Sequence, residues 1–179
     1  MNNENKYLYY PNELTGFELE SEMPDMRGWE VKDRDRKTIG KVDDFLVNKE
    51  MEQIVYLDIK VDDSILLDEK SVVADRKEFI NKEGEDHLLL PVGLVSIDEA
   101  HDEIITDEIG YQVFANAKRR KKEAPIDRDY EEVLLDSYQT ESEPLIENRA
   151  DRAYPSRFYE RKEFSRSQPF GFRLMRGKM

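Results

Sequence analysis

Residues Gln53–Val61 constrain this chain more than any other stretch. Val55, Leu57, Ile59 and Val61 alternate with Ile54, Tyr56, Asp58 and Lys60. A period of two places the two sets on opposite faces of an extended backbone. The branched and aromatic residues in the run suit a pleated surface. A strand needs partners for its backbone N–H and C=O groups, so this one strand implies a sheet.

Further strands follow from the same pattern. Trp29-Glu30-Val31-Lys32 alternates apolar and polar, and Asp33-Arg34-Asp35-Arg36 reads as a polar turn. Residues 37–47 resume an extended pattern through Ile39, Val42, Phe45 and Val47, with Gly40 marking a bulge or bend. Residues 48–52 form a second turn. Short strands are expected at 87–91, 94–97 and 103–106. Pro91 ends one of them, where a missing donor is tolerated. Arg27-Gly28 supplies a bend before the first strand. Strands this short and close predict a mainly β fold, a small antiparallel barrel over residues 24–110. Residues 62–86 form an acidic insert with Ile65-Leu66-Leu67, Val72-Val73 and Phe79-Ile80, too long to be structureless.

The flanks differ. Residues 1–23 form an arm with a short strand near Phe17. Residues 111–138 predict short helices in two pieces. The first, over 111–122, ends in the basic run Lys118-Arg119-Arg120-Lys121-Lys122, which the helix dipole favours at a C-terminus. The second is capped by Asp129, with Glu132 three residues on. Tyr130, Leu134 and Tyr138, with Val133, form a stripe that docks on the barrel or binds a partner. Residues 139–179 carry Tyr154, Phe158, Tyr159, Phe164, Phe170 and Phe172 among arginines and serines with few aliphatics, the composition of a disordered basic–aromatic tail.

Charge follows this division. Of the 179 residues, 41 are Asp or Glu and 28 are Lys or Arg, a formal net charge of −13. Residues 1–117 hold 13 basic and 29 acidic residues; residues 149–179 hold nine basic and three acidic. An acidic body repels phosphate backbones, so nucleic acid is not expected on the barrel. The tail interleaves Arg with Phe and Tyr, as segments that stack on bases do, and an arm of opposite sign can fold back on the body. There is no cysteine, which removes disulfides and thiolate chemistry. The longest apolar runs fall far short of the roughly 20 residues that span a bilayer. No secretory signal is read at 2–10, and a cytoplasmic location without an integral membrane segment is expected.

No enzyme is expected. His87 and His101 are the only histidines and do not stand at metal-ligand spacing, and the eight glycines are scattered singly. Asp43-Asp44 is a carboxylate pair, but neighbours on a strand point to opposite faces. Asp58, Asp62 and Asp63 lack the spacing of a calcium loop. Catalytic, metal and cofactor sites are therefore all expected to be absent.

The runs Asp25-Met26-Arg27-Gly28-Trp29-Glu30-Val31, Ile39-Gly40-Lys41-Val42-Asp43-Asp44, Val55-Tyr56-Leu57 and Leu90-Pro91-Val92-Gly93-Leu94 together resemble the PRC-barrel family. That is the small β-barrel of the photosynthetic reaction-centre H subunit's cytoplasmic domain. Residues 126–131 look like an extension of that branch. The insert at 62–86 is longer than the family leads one to expect, and no transmembrane helix precedes the barrel. The resemblance implies an adaptor or assembly module acting through a protein partner, with a homodimer through an open strand edge as one form. It also implies an alternative, an accessory role in electron transport. Tail-mediated binding of nucleic acid or anionic surfaces is a further alternative. Of the residues that carry the resemblance, Trp29 reads as a core anchor.

Overall fold

The structure, a computed structural model, describes residues 6–15, 17–19, 24–62, 85–138, 158–160, 162–164 and 174–176. Most of the expected insert at 62–86 and of the tail lies outside the described residues.

The fold is mainly β. Strands β1 (Leu8–Tyr9), β2 (Phe17–Leu19), β3 (Glu30–Lys32), β4 (Thr38–Asn48), β5 (Gln53–Val61), β6 (His87–Pro91), β7 (Ser96–Asp98) and β8 (Glu103–Ile105) precede helices α1 (Tyr111–Asn116) and α2 (Arg128–Tyr138), and β9 is Leu174–Arg176. The principal sheet runs β6-β5-β4-β3-β8-β7, with β1 also on β4, and β2 pairs with β9 separately. The expected antiparallel arrangement holds except where β3 runs parallel to β8. The sheet is therefore mixed, and among the described residues its end strands do not pair with each other.

Chain length still forces this sheet to curl. Its end strands β6 and β7 are consecutive in sequence, joined by the 3-10 turn Val92–Leu94 and Val95. Five strand-to-strand steps of about 4.8 Å would separate them by about 24 Å if the sheet were flat. The short link from Pro91 to Ser96 spans at most about 17 Å fully extended. Gly40 sits where β4 crosses β5 closely: a Cβ there would collide with the backbone carbonyl of Lys60. Gly28 takes φ +88° in the bend ahead of β3, a conformation suited to glycine.

The sheet buries Val31, Ile39, Val42, Phe45, Leu57 and Ile59, all at most 2% exposed. Trp29 is half-buried at its margin rather than central. Along β5 only Lys60 is exposed, so both faces of the strand are covered.

The second face of β5 is roofed by segments from three distant parts of the chain. These are the N-terminal arm, α2, and residues 158–160 and 162–164, where Phe158, Tyr159 and Phe164 are 1%, 2% and 8% exposed. A disordered tail is thus not what these residues form. Three closely spaced aromatics bury enough surface to order a short segment without aliphatic support.

The helices also depart from the sequence reading. α1 stops at Asn116, because Ala117 turns to extended backbone. The basic run does not cap it. Arg119 and Arg120 are buried, and Arg120 exchanges backbone hydrogen bonds with His87 on β6 (2.9 and 3.0 Å). Helix α2 is capped by Asp127, whose Oδ1 accepts the Tyr130 N–H at 2.8 Å, so the cap lies two residues before Asp129. No helix among the described residues is long and apolar enough to cross a membrane.

Candidate functional site: two polar clusters beneath the roof of β5

Tyr56 and Asp58 stand two residues apart on the roofed face of β5, and each anchors a polar cluster. The first is centred on Glu131, in the first turn of α2 and fully buried. Its Oε1 accepts hydrogen bonds from the hydroxyls of Tyr56 (2.9 Å) and Tyr159 (2.7 Å), and its Oε2 from Tyr7 (2.9 Å). Arg128, one turn earlier, places its NH1 3.5 Å from Oε2. Its guanidinium also lies 3.7 Å from the centroid of Phe158 and 4.8 Å from that of Tyr7. Tyr56 meets Phe164 edge-on, with centroids 5.2 Å apart at 89°. Burial pushes the Glu131 carboxyl above the ordinary range, and Arg128 and the tyrosine hydroxyls pull it part of the way back. Burial, followed by the Glu131 charge, keeps Tyr56 and Tyr159 protonated far into alkali.

The second cluster surrounds Asp58, which is also fully buried. Its Oδ2 accepts the Tyr10 hydroxyl at 2.6 Å and lies 3.6 Å from Arg120 NH1. Opposite it are Asp43, at the bulge between Val42 and Asp44 on β4, and His87, which opens β6. His87 Nε2 is 3.3 Å from Asp43 Oδ2, its Nδ1 is 2.7 Å from Asp86 Oδ1, and Lys122 donates to Asp43 Oδ2. Burial raises Asp58, with Tyr10, His87 and Arg120 opposing it. Partial burial also acts upward on Asp43, but hydrogen bonding and charge from Lys122, with His87 behind it, leave it below the usual carboxylate range.

The structure places the remaining singled-out residues as follows. Asp44 does not share Asp43's partners; its Oδ1 accepts the neighbouring Phe45 N–H. Asp62 lies at the end of β5, and Asp63 is outside the described residues. Arg27 pairs with Asp25 at the surface (2.7 Å). Pro91 is the last residue of β6, and Gly93 lies in the following turn, where it lines a cleft with Ser96 and Asp107. Tyr130, Leu134 and Tyr138 are buried on the chain itself. The Tyr130 hydroxyl donates to the Lys118 carbonyl (3.0 Å), and that of Tyr138 donates to the Leu89 carbonyl (2.8 Å). Of the two roles open to that stripe, this is intramolecular docking. Val133, half exposed, is the large apolar side chain α2 leaves outside.

Sequence reasoning gave no site role to Tyr7, Tyr10, Asp86, Arg128 or Glu131, named Arg120, Lys122 and Tyr159 only as parts of the basic run and the tail, and did not read His87 as a cluster member. One signal was present: the second face of β5 reads Ile54-Tyr56-Asp58, too apolar for a solvated face. Compared with protein-family models and with curated proteins, the chain has no match in either set.

Proposed function

We propose that this protein is a non-catalytic, PRC-barrel-like adaptor whose body binds an aromatic peptide segment on the roofed face of β5. The observation that carries this reading is the seating of Phe158, Tyr159 and Phe164. They reach the body from beyond residue 138 and are held the way a peptide ligand is held. A buried carboxylate receives the Tyr159 hydroxyl, a guanidinium covers Phe158, and Tyr56 packs edge-on against Phe164. A few convergent polar groups set among aromatic walls give orientation and selectivity. The curl imposed on the sheet fits an open form of the small barrel that the sequence resembles.

On this reading the chain's own segment occupies the groove in cis at high effective concentration, and a partner segment competes for it. The partner chemistry is a tyrosine flanked by a second aromatic residue. The test uses full-length protein, wild type and Phe158→Ala/Phe164→Ala, titrated into a fluorescently labelled peptide of residues 156–166. The double variant frees the groove and is expected to bind the peptide at least tenfold more tightly than wild type, about 1.4 kcal/mol. Equal binding by the two proteins would remove the groove as a peptide site.

A further inference from the structure

The Asp58 cluster has a property that the Glu131 cluster lacks: acceptors face acceptors. Asp86 is a carboxylate, so His87 Nδ1 must be the donor in their 2.7 Å contact. In a neutral imidazole this fixes Nε2 as a bare lone pair, and Nε2 faces the Asp43 Oδ2 oxygen at 3.3 Å. Asp58 Oδ1 is fully buried and has no hydrogen-bond partner among the described residues. One donor atom from each of Asp43, Asp58 and His87 falls within 4.8 Å of the others. Three carboxylates (Asp43, Asp58, Asp86) meet two side-chain cations (Lys122, Arg120), which leaves a negative charge uncompensated. Asp43 and Asp86 keep about a third of their side chains in solvent, but Asp58 is wholly buried, and a cation beside it would offset its charge and occupy its bare oxygen.

We propose that Asp43, Asp58 and His87 form a binding site for a first-row divalent transition cation, with Zn²⁺ as its natural probe. Two carboxylate oxygens and one imidazole nitrogen suit such ions, which bind at about 2.0–2.2 Å. The Asp86–His87 contact is the carboxylate–histidine arrangement that orients a metal-ligating imidazole through its other nitrogen. The ligands lie on three adjacent strands, β4, β5 and β6, so sheet pairing fixes their spacing. Lys122, on the side of the cluster nearer solvent, takes up part of Asp43's charge and competes with the ion. The site is separate from the peptide groove, and a failure of either reading leaves the other standing.

The test is calorimetric titration of untagged, chelator-stripped full chain with Zn²⁺, and with Co²⁺ monitored by its visible absorption. The expected result is a single ion per chain, lost in His87→Gln and in Asp43→Asn. Asp86→Asn is expected to weaken it by about 10–100-fold. Lys122→Met is expected to tighten it by about tenfold, because a competing unit charge is removed. That gain cannot come from misfolding, so it keeps the test decisive even if the buried-site variants are unstable. His101→Gln and Lys121→Met, both at exposed positions, are expected to leave binding unchanged. Absence of stoichiometric binding, binding that survives both His87→Gln and Asp43→Asn, or weaker binding by Lys122→Met would each overturn the proposal.

Discussion

The two clusters under the roof of β5 begin from the same problem, a carboxylate taken entirely out of water, and resolve it differently. Glu131 accepts from three tyrosine hydroxyls and has a guanidinium beside it, so both of its oxygens are used. Asp58 uses one oxygen and leaves the other without a hydrogen bond among the described residues, in a cluster with Asp43 and His87. The first arrangement uses both carboxylate oxygens and ties arm, strand, helix and C-terminal segment together. The second is incomplete in charge. The difference teaches that burial alone does not mark a binding site; unsatisfied polarity within the buried set does.

The largest expected effect comes from emptying the Glu131 cluster. Glu131→Ala leaves three tyrosine hydroxyls and Arg128 without their shared acceptor, and is expected to cost about 3–5 kcal/mol in chemical denaturation. Asp58→Asn keeps the shape and removes a charge that is only partly compensated, and is expected to change stability by no more than about 1 kcal/mol. Similar losses at the two sites would erase the distinction between them.

Single hydroxyls come next. Tyr56→Phe and Tyr159→Phe each delete a hydrogen bond to a buried carboxylate, and each is expected to cost about 1.5–3 kcal/mol. Because the two share Glu131 Oε1, the double variant should deviate from additivity in a double-mutant cycle. Strict additivity would mean that Tyr159 does not reach this oxygen.

The pH dependence has a smaller effect and a definite sign. The carboxyl of folded Glu131 titrates above its ordinary value of 4.5. The folded state therefore holds a proton that the unfolded chain has lost. Stability from this group is greatest below that value and declines as pH rises through the raised folded one. Glu131→Gln is expected to flatten that decline in denaturation profiles taken between pH 4 and 8. Tyr56 and Tyr159, also raised, add a second decline above their ordinary value of 10, where the unfolded chain ionises first. A Gln variant that retains the full acid-side slope would show that another group produces it.

Much of the sheet was legible in sequence because period-two patterning reports local geometry. Residues 53–61, the turn at 33–36 and the end of a strand at Pro91 all follow from neighbours in sequence. The two clusters were not legible. Asp43, Asp58 and His87 meet only through cross-strand register, and a bulge at Asp43 shifts that register. Glu131 stands beside the stripe of Tyr130, Val133, Leu134 and Tyr138, and nothing in the local pattern marks its acid as buried. The tail differs: its average composition predicts disorder, and composition does not report that Phe158, Tyr159 and Phe164 act as three specific anchors; most of 139–179 lies outside the described residues. The basic run at 118–122 suits a helix end in sequence, yet Arg120 pairs with β6 and Lys122 with Asp43, contacts set by tertiary structure rather than by helix propensity.

The most direct test of the account is the competition for the roofed face of β5. Full-length wild type and Phe158→Ala/Phe164→Ala are compared for binding to the labelled 156–166 peptide, alongside the same peptide with its tyrosine replaced by phenylalanine. The account predicts weak binding by wild type, at least about tenfold tighter binding by the double variant, and loss of most of that gain with the phenylalanine peptide, which cannot donate to Glu131. Equal affinities across both proteins and both peptides would contradict it.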